Sequence, residues 1–226
     1  MYSNARAQKP RLTGELSSAS GRLSVSHFNY GRGAEIFGEA EPAEYIYQVV
    51  EGAVRTYKLL PDGRRQIGAF HFPGDIFGLE NGETHRFTAE AIVASTVRLV
   101  QRKSLDEVAQ NDPAISRTIL GMTTGNLAHV ESHMLLLGRK TSLERVASFL
   151  LEMHLRSTSA GVLNLPMTRR DIADYLGLTF ETVSRAMSEL YRKDILKFED
   201  TTRRHIVVVL DVQALAELAD KRSQAS

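Results

Sequence analysis

Residues 168–193, TRRDIADYLGLTFETVSRAMSELYRK, read as two short helices joined by a tight turn that contains glycine. This is the pattern of a DNA-binding helix-turn-helix. Thr168 suits the first N-cap. Asp171 stands at the reciprocal position of a capping box, where Glu or Gln is commoner. Ile172, Ala173, Leu176 and Leu178 supply an inward face. Gly177 suits a left-handed residue that ends a helix without a Cβ clash. Thr179 suits the second N-cap, and Val183, Met187 and Leu190 recur at helical spacing. Glu181, Ser184 and Arg185 then point away from the packed side near the helix start, the part that meets base edges in a docked helix-turn-helix.

Downstream, Leu196–Phe198 and His205–Leu210 are strand-like, with the polar run 199–204 between them. Together they predict a β-hairpin wing. Asp211 is expected to cap a last helix ending near Asp220. Upstream, Ser142–Leu155 is amphipathic and predicts a helix. From Ser116 to about Leu137 the periodicity is again helical. Leu120, Leu127 and Met134 lie seven apart, with Val130 and Leu137 in an intermediate seam, so a dimer helix over 113–138 is expected. Gly138 is expected to end it.

Between about 22 and 110 the texture changes. Short apolar runs at Tyr45–Val50, Ala53–Leu60, Gln66–Phe72 and Phe87–Val93 are broken by Glu51-Gly52, Pro61-Asp62-Gly63, Pro73-Gly74-Asp75 and Asn81-Gly82. Such runs indicate an antiparallel sandwich or barrel of jelly-roll type. Residues 1–20 are rich in Ser, Arg, Lys, Gly and Ala and read as a loosely ordered arm. The expected organisation is α+β: arm 1–20, β-roll 21–112, dimer helix 113–138, winged helix-turn-helix 139–226.

Composition narrows the function. The 226 residues carry a formal net charge of +1. Fourteen basic residues face twelve acidic ones over 139–226, so placement rather than sum carries the electrostatics of DNA binding. The absence of cysteine excludes disulfides, thiol catalysis, thiolate zinc and cysteine-ligated iron–sulfur clusters. No apolar run approaches the roughly 20 residues of a membrane span, and no signal-peptide hydrophobic region is seen, so the expected location is the cytoplasm. No nucleophile–base–orienter set, phosphate loop or metalloprotease motif occurs; no catalytic residue is assigned and a non-enzyme is expected. His129 and His133 are four apart but lack a third ligand, and His71 and His85 are axial-ligand candidates only in principle. No metal and no cofactor are assigned.

The order of β-rich module, long helix and winged helix-turn-helix resembles the CRP/FNR family of bacterial transcription regulators. The resemblance covers about Tyr45 to Leu210. It is strongest at Phe72-Pro73-Gly74-Asp75-Ile76-Phe77-Gly78 and Glu181-Thr182-Val183-Ser184-Arg185. Within the family the chain is similar to the FixK branch. FNR proper carries a cysteine cluster for an iron–sulfur centre, which this chain lacks. Some FixK-type proteins place a redox-sensitive cysteine just before the first helix of the motif, and here the matching position is Thr168.

The resemblance implies a homodimer reading an inverted repeat of TTGA half-sites, with Arg185 on guanine and Glu181 near the opposing cytosine. Chemically, the Arg185 fork matches guanine N7 and O6, and the Glu181 carboxylate only accepts, as cytosine N4 requires. The bland alternative is an i,i+4 surface ion pair between them. Phosphate-contact candidates are Thr168, Arg169, Arg170, Thr179, Arg192, Lys197, Arg203 and Arg204. Double-stranded DNA, a second copy of the chain and RNA polymerase are the expected partners, and activation the expected effect. In cyclic-nucleotide-binding relatives, a Gly-Glu-Leu segment and an Arg-Ser or Arg-Thr pair hold ribose and phosphate. Here Arg86 is retained, Phe87 stands where a hydroxyl is needed, and Glu80 is displaced by one residue. The alternatives are a regulator loaded by cyclic nucleotide or haem, and a cupin-type metalloenzyme fused to a DNA-binding tail.

Overall fold

A computed structural model describes residues 25–80, 82–157, 161–199 and 206–220. The expected arm 1–20, Arg203 and Arg204 lie outside them. In chain order the elements are β1 (Val25–Tyr30), β2 (Glu35–Phe37), β3 (Tyr45–Glu51), β4 (Val54–Leu59), β5 (Arg65–His71), β6 (Ile76–Phe77), β7 (Thr88–Ala91) and β8 (Ser95–Gln101). Then come α1 (Arg102–Asn111), α2 (Pro113–Arg139), α3 (Ser142–Arg156), β9 (Val162–Asn164), α4 (Arg169–Leu176), α5 (Phe180–Arg192), β10 (Leu196–Phe198), β11 (Ile206–Val209) and α6 (Val212–Asp220).

The chain divides into two compact units. One comprises residues 1–60 and 68–130; the other comprises 61–67 and 131–226. Two four-stranded sheets run β1-β8-β3-β6 and β2-β7-β4-β5; they belong to the first unit, β5 from Gly68 onward. Every described pairing is antiparallel, as the expected jelly roll requires. Strand β3 is buried on both faces, which explains its unbroken apolar run. Tyr47 and Val49 join Phe37, Val54, Phe77, Ala89, Val97 and Leu99 in one core. Ile46 points the other way, to Val100, Leu105 and Ile115. Gly52 is obligatory where β3 turns into β4. Its φ is +90°, and a Cβ there would lie 2.3 Å from Ser95 Oγ and 2.5 Å from the Ala94 carbonyl.

Two expectations need correction. Residues 102–111 form a helix rather than continuing the β texture. Leu105 and Val108 are three apart and pack on one side, a helical repeat too short to stand out among polar neighbours. The long helix starts at Pro113, Pro being favoured at a first helical position. It also runs through Gly138 to Arg139: Gly138 is not among the positive-φ glycines, and the chain breaks only at Lys140, before the Thr141 cap of α3. Strands β1, β2, β6 and β8 were not anticipated. β1 is largely exposed, and β2 and β6 are too short for a periodic signal.

In the second unit, α3 packs on α5 and α6, and Val146, Phe149, Leu150, Met153, Met187 and Leu215 are fully or nearly fully buried. The wing pairs β10 with β11 as expected, Leu196 opposite Val209. β11 also pairs with β9, a third strand with no distinct mark in its three residues. Asp211 caps α6, its Oδ1 accepting from Ala214 N–H at 2.9 Å.

Candidate nucleic-acid interface

The helix-turn-helix is built by local chemistry. Thr168 Oγ1 accepts from Asp171 N–H at 3.1 Å. Asp171 Oδ2 accepts from the Thr168 N–H at 3.0 Å and hydroxyl at 2.8 Å. The capping box is complete, and the shorter Asp performs the role of Glu. Gly177 ends α4 in the left-handed region at φ 61°, and Leu178 N–H reaches back to the Ala173 carbonyl at 3.0 Å. Thr179 caps α5, accepting from Thr182 N–H at 3.2 Å. Ile172, Ala173, Leu176, Val183, Met187 and Leu190 are all buried, with Ala186 added to that face. Leu178 is half-buried.

This packing sets what α5 shows outward. Glu181 and Arg185 are exposed and Ser184 is half-buried, on one side of the helix start. Phe180 is 44% exposed at the first position of α5, an aromatic that sequence reading left unassigned.

The other candidates scatter around this patch. Thr168, Arg170, Thr179, Arg192 and Lys197 are exposed. Arg169 is half-buried; its Nη1 donates to Ser184 Oγ at 3.5 Å, and its guanidinium lies 5.4 Å from the Phe198 ring centroid. It thus touches both α5 and the wing. Arg145 was not anticipated. It donates to the carbonyls of Leu137 (2.7 Å), Lys140 (3.0 Å) and Leu176 (3.1 Å), joining the ends of α2 and α4. The Leu176 carbonyl lies 31 residues from Arg145, so its part in this clasp leaves no mark that a local sequence pattern could reveal.

On α2, Leu120, Leu127, Val130 and Met134 are 62%, 58%, 61% and 64% exposed, joined by Leu135 at 57%. Leu137, at the helix end, is half-buried. His133 stacks on Tyr175, ring centroids 4.2 Å apart. Among the described residues, no group of three or more His, Cys, Asp or Glu could hold a metal ion.

In the β-roll, the retained Arg86 is occupied. Its Nε donates to Glu80 Oε2 at 2.7 Å, and its backbone N–H to Oε1 at 3.3 Å. His85 is fully buried and stacks on Phe37 with centroids 3.6 Å apart. Phe87 packs against Gly68, where an added Cβ would meet its ring at 3.1 Å.

A β-roll, a long helix with an apolar stripe and a winged helix-turn-helix with a polar outer face on α5 define a DNA-binding transcription regulator. Comparison with known proteins agrees. Residues 144–218 match the Crp-like helix-turn-helix domain, and residues 27–112 match the cyclic nucleotide-binding domain. The nitrogen fixation regulation protein FixK of Rhizobium meliloti is 38% identical over 223 residues, covering 97% of this chain and all of that protein. FixK of Azorhizobium caulinodans is 43% identical, covering 84% of this chain and 77% of that protein. The solved structure of FixK2 from Bradyrhizobium japonicum is 56% identical with a TM-score of 0.84, covering 89% of this chain and 100% of that one. The chain belongs to the CRP/FNR family of bacterial transcription regulators, among its FixK proteins. No described helix is long and apolar enough to cross a membrane.

Proposed function

We propose that this regulator acts as a homodimer that reads an inverted repeat of TTGA half-sites and activates transcription without cyclic nucleotide, metal or iron–sulfur cofactor. The observation that carries this reading is the division of α5: one face is sealed into the core by Val183, Met187 and Leu190, and the other offers Glu181, Ser184 and Arg185 to a major groove. Arg185 donates its fork to guanine, Glu181 accepts from the opposing cytosine amino group, and Ser184 adapts to its neighbours. Phe180 lies where an apolar contact to a thymine methyl would fall. Thr168, Arg169, Arg170, Thr179, Arg192, Lys197, Arg203 and Arg204 hold register against phosphates.

The stripe Leu120, Leu127, Val130, Met134 and Leu137 joins two copies along α2, because its four exposed members, with Leu135 beside them, are costly to leave in water. A two-fold axis then sets the reading helices about 34 Å apart, one duplex turn. The working division is an arm over 1–20, a β-roll over 21–112, a dimer helix over 113–138 and a DNA-binding domain from 139. RNA polymerase in the cytoplasm is the partner that activation requires. The FixK relatives are named for regulating nitrogen fixation, and genes of that kind are the proposed targets.

Selection of bound duplexes from a random pool, without effector, tests the reading. Enrichment of a dyad of TTGA half-sites is the expected outcome. A selection yielding no symmetric motif, or none without an added small molecule, refutes it.

A further inference from the structure

The second unit includes residues 61–67, a segment more than 100 residues before the helix-turn-helix in sequence, and that segment grips α4. Arg65 Nε donates to Asp174 Oδ2 at 2.9 Å. Its Nη2 donates to the same oxygen at 2.7 Å and to Asp171 Oδ1 at 2.5 Å. Next to it, Gln66 Nε2 donates to the Tyr175 carbonyl at 3.4 Å. The segment therefore holds α4 near both ends, at Asp171 in its first turn and Tyr175 in its last.

Asp171 is only 2% exposed, and its other oxygen closes the capping box with Thr168. Two carboxylates one helical turn apart repel each other, and a buried one needs a counter-charge. The planar Arg65 fork, set between them, supplies both needs with fixed geometry. Because α4 packs directly on α5, the rotation of α4 about its axis sets the bearing of the reading face. A rotation of about 10° moves atoms at a helix rim, about 5–6 Å from the axis, by about 1 Å. Recognition geometry tolerates about 0.5 Å.

We propose that Arg65 is a positioning residue for base recognition: by clamping Asp171 and Asp174 it fixes α4, and through α4 the angle at which Arg185 and Glu181 meet the groove. This rests on the base-reading role proposed for α5. Arg65 itself touches no DNA.

The test uses the full chain as wild type, Arg65→Ala, Arg65→Lys and the double variant Arg65→Ala/Asp174→Ala. Each is titrated onto a TTGA inverted-repeat duplex and a scrambled duplex, with amide hydrogen exchange measured in parallel. Arg65→Ala is expected to raise the operator Kd at least about tenfold, the low end for a lost hydrogen bond to a charged group, and to leave the scrambled-duplex Kd within about twofold. Arg65→Lys recovers part of the loss, and the double variant is no weaker than Arg65→Ala. Exchange quickens across 172–177 and is unchanged in α6. Equal weakening on both duplexes, an unchanged operator Kd, or a further loss in the double variant overturns the assignment. If the wild type itself shows no preference for the inverted repeat, the proposed function fails. The clamp is then judged by exchange alone: protection of 172–177 that survives Arg65→Ala removes it.

Discussion

Arg86 Nε donates to Glu80 Oε2 at 2.7 Å, and the Glu80 side chain is only 7% exposed. The cation that the β-roll would offer to a phosphate is thus already matched to a carboxylate of its own cassette. An anion entering there would meet the Glu80 carboxylate beside the guanidinium, with Phe87 supplying no donor. Isothermal titration with cyclic AMP and cyclic GMP is expected to show no binding at micromolar concentration. Micromolar affinity for either would reverse this conclusion.

Arg185→Ala should abolish preference for the guanine of the half-site. A bidentate contact contributes about 1–3 kcal/mol of discrimination, so single-base variants of the operator should compete within a few-fold of the parent sequence. Uniform weakening on all duplexes would move Arg185 from base to phosphate.

Charge on the α2 stripe should separate the protomers. Leu127→Glu sets a carboxylate among exposed leucines without touching the folded core. Sedimentation is expected to show a monomer with a normal circular dichroism spectrum, and operator affinity should fall by two decades or more because each half-site is bound alone. A variant that stays dimeric disproves the stripe as the interface.

Gly177→Ala isolates a backbone effect. A Cβ at Gly177 would meet only Leu137 Cδ2 at 3.8 Å and Arg145 Nη1 at 3.9 Å, ordinary contacts, so the cost is that of φ +61° for an L side chain. About 1–2 kcal/mol of stability should be lost in urea unfolding, and Gly177→Asn should lose less. Equal losses for the two would mean that contact, not backbone, sets the cost.

His85 should make stability depend on pH. Burial lowers its pKa from the usual histidine range, partly opposed by the Glu80 carboxylate 3.8 Å from Nδ1. Among the described residues, none lies within hydrogen-bonding distance of either ring nitrogen. The unfolded chain therefore binds the proton more readily than the fold does. This contribution is constant above about pH 6.5, the ordinary histidine value, and stability is lost as pH falls from there toward the lower folded value. Thermal melting between pH 8 and 5 should show a shallower acid decline in His85→Phe than in the wild type. Identical slopes would assign the decline to other groups.

The helix-turn-helix was legible because its determinants are local. Thr168, Asp171, Gly177 and Thr179 act within four residues of themselves, and Val183, Met187 and Leu190 announce their face by spacing alone. The strands of the roll were legible where an apolar run is bounded by turn residues, as at Tyr45–Glu51, and not at β1, which is largely exposed, nor at β8, where Thr96 and Arg98 interrupt the buried positions. The alternation of aromatic and turn residues, and the order of the elements, were enough to define the class of fold.

Chain segments far apart in sequence supplied what no window could hold. Strand β9 is a strand because β11 pairs with it. Arg145 is a clasp because the Leu176 carbonyl, 31 positions away, comes alongside it, and Arg65 meets Asp171 across 106 positions. Hydrogen-bond caps and helical periodicity depend on a handful of neighbouring dihedrals. Ion pairs and sheet edges depend on which distant backbone folding brings alongside, so they become visible only in the assembled molecule.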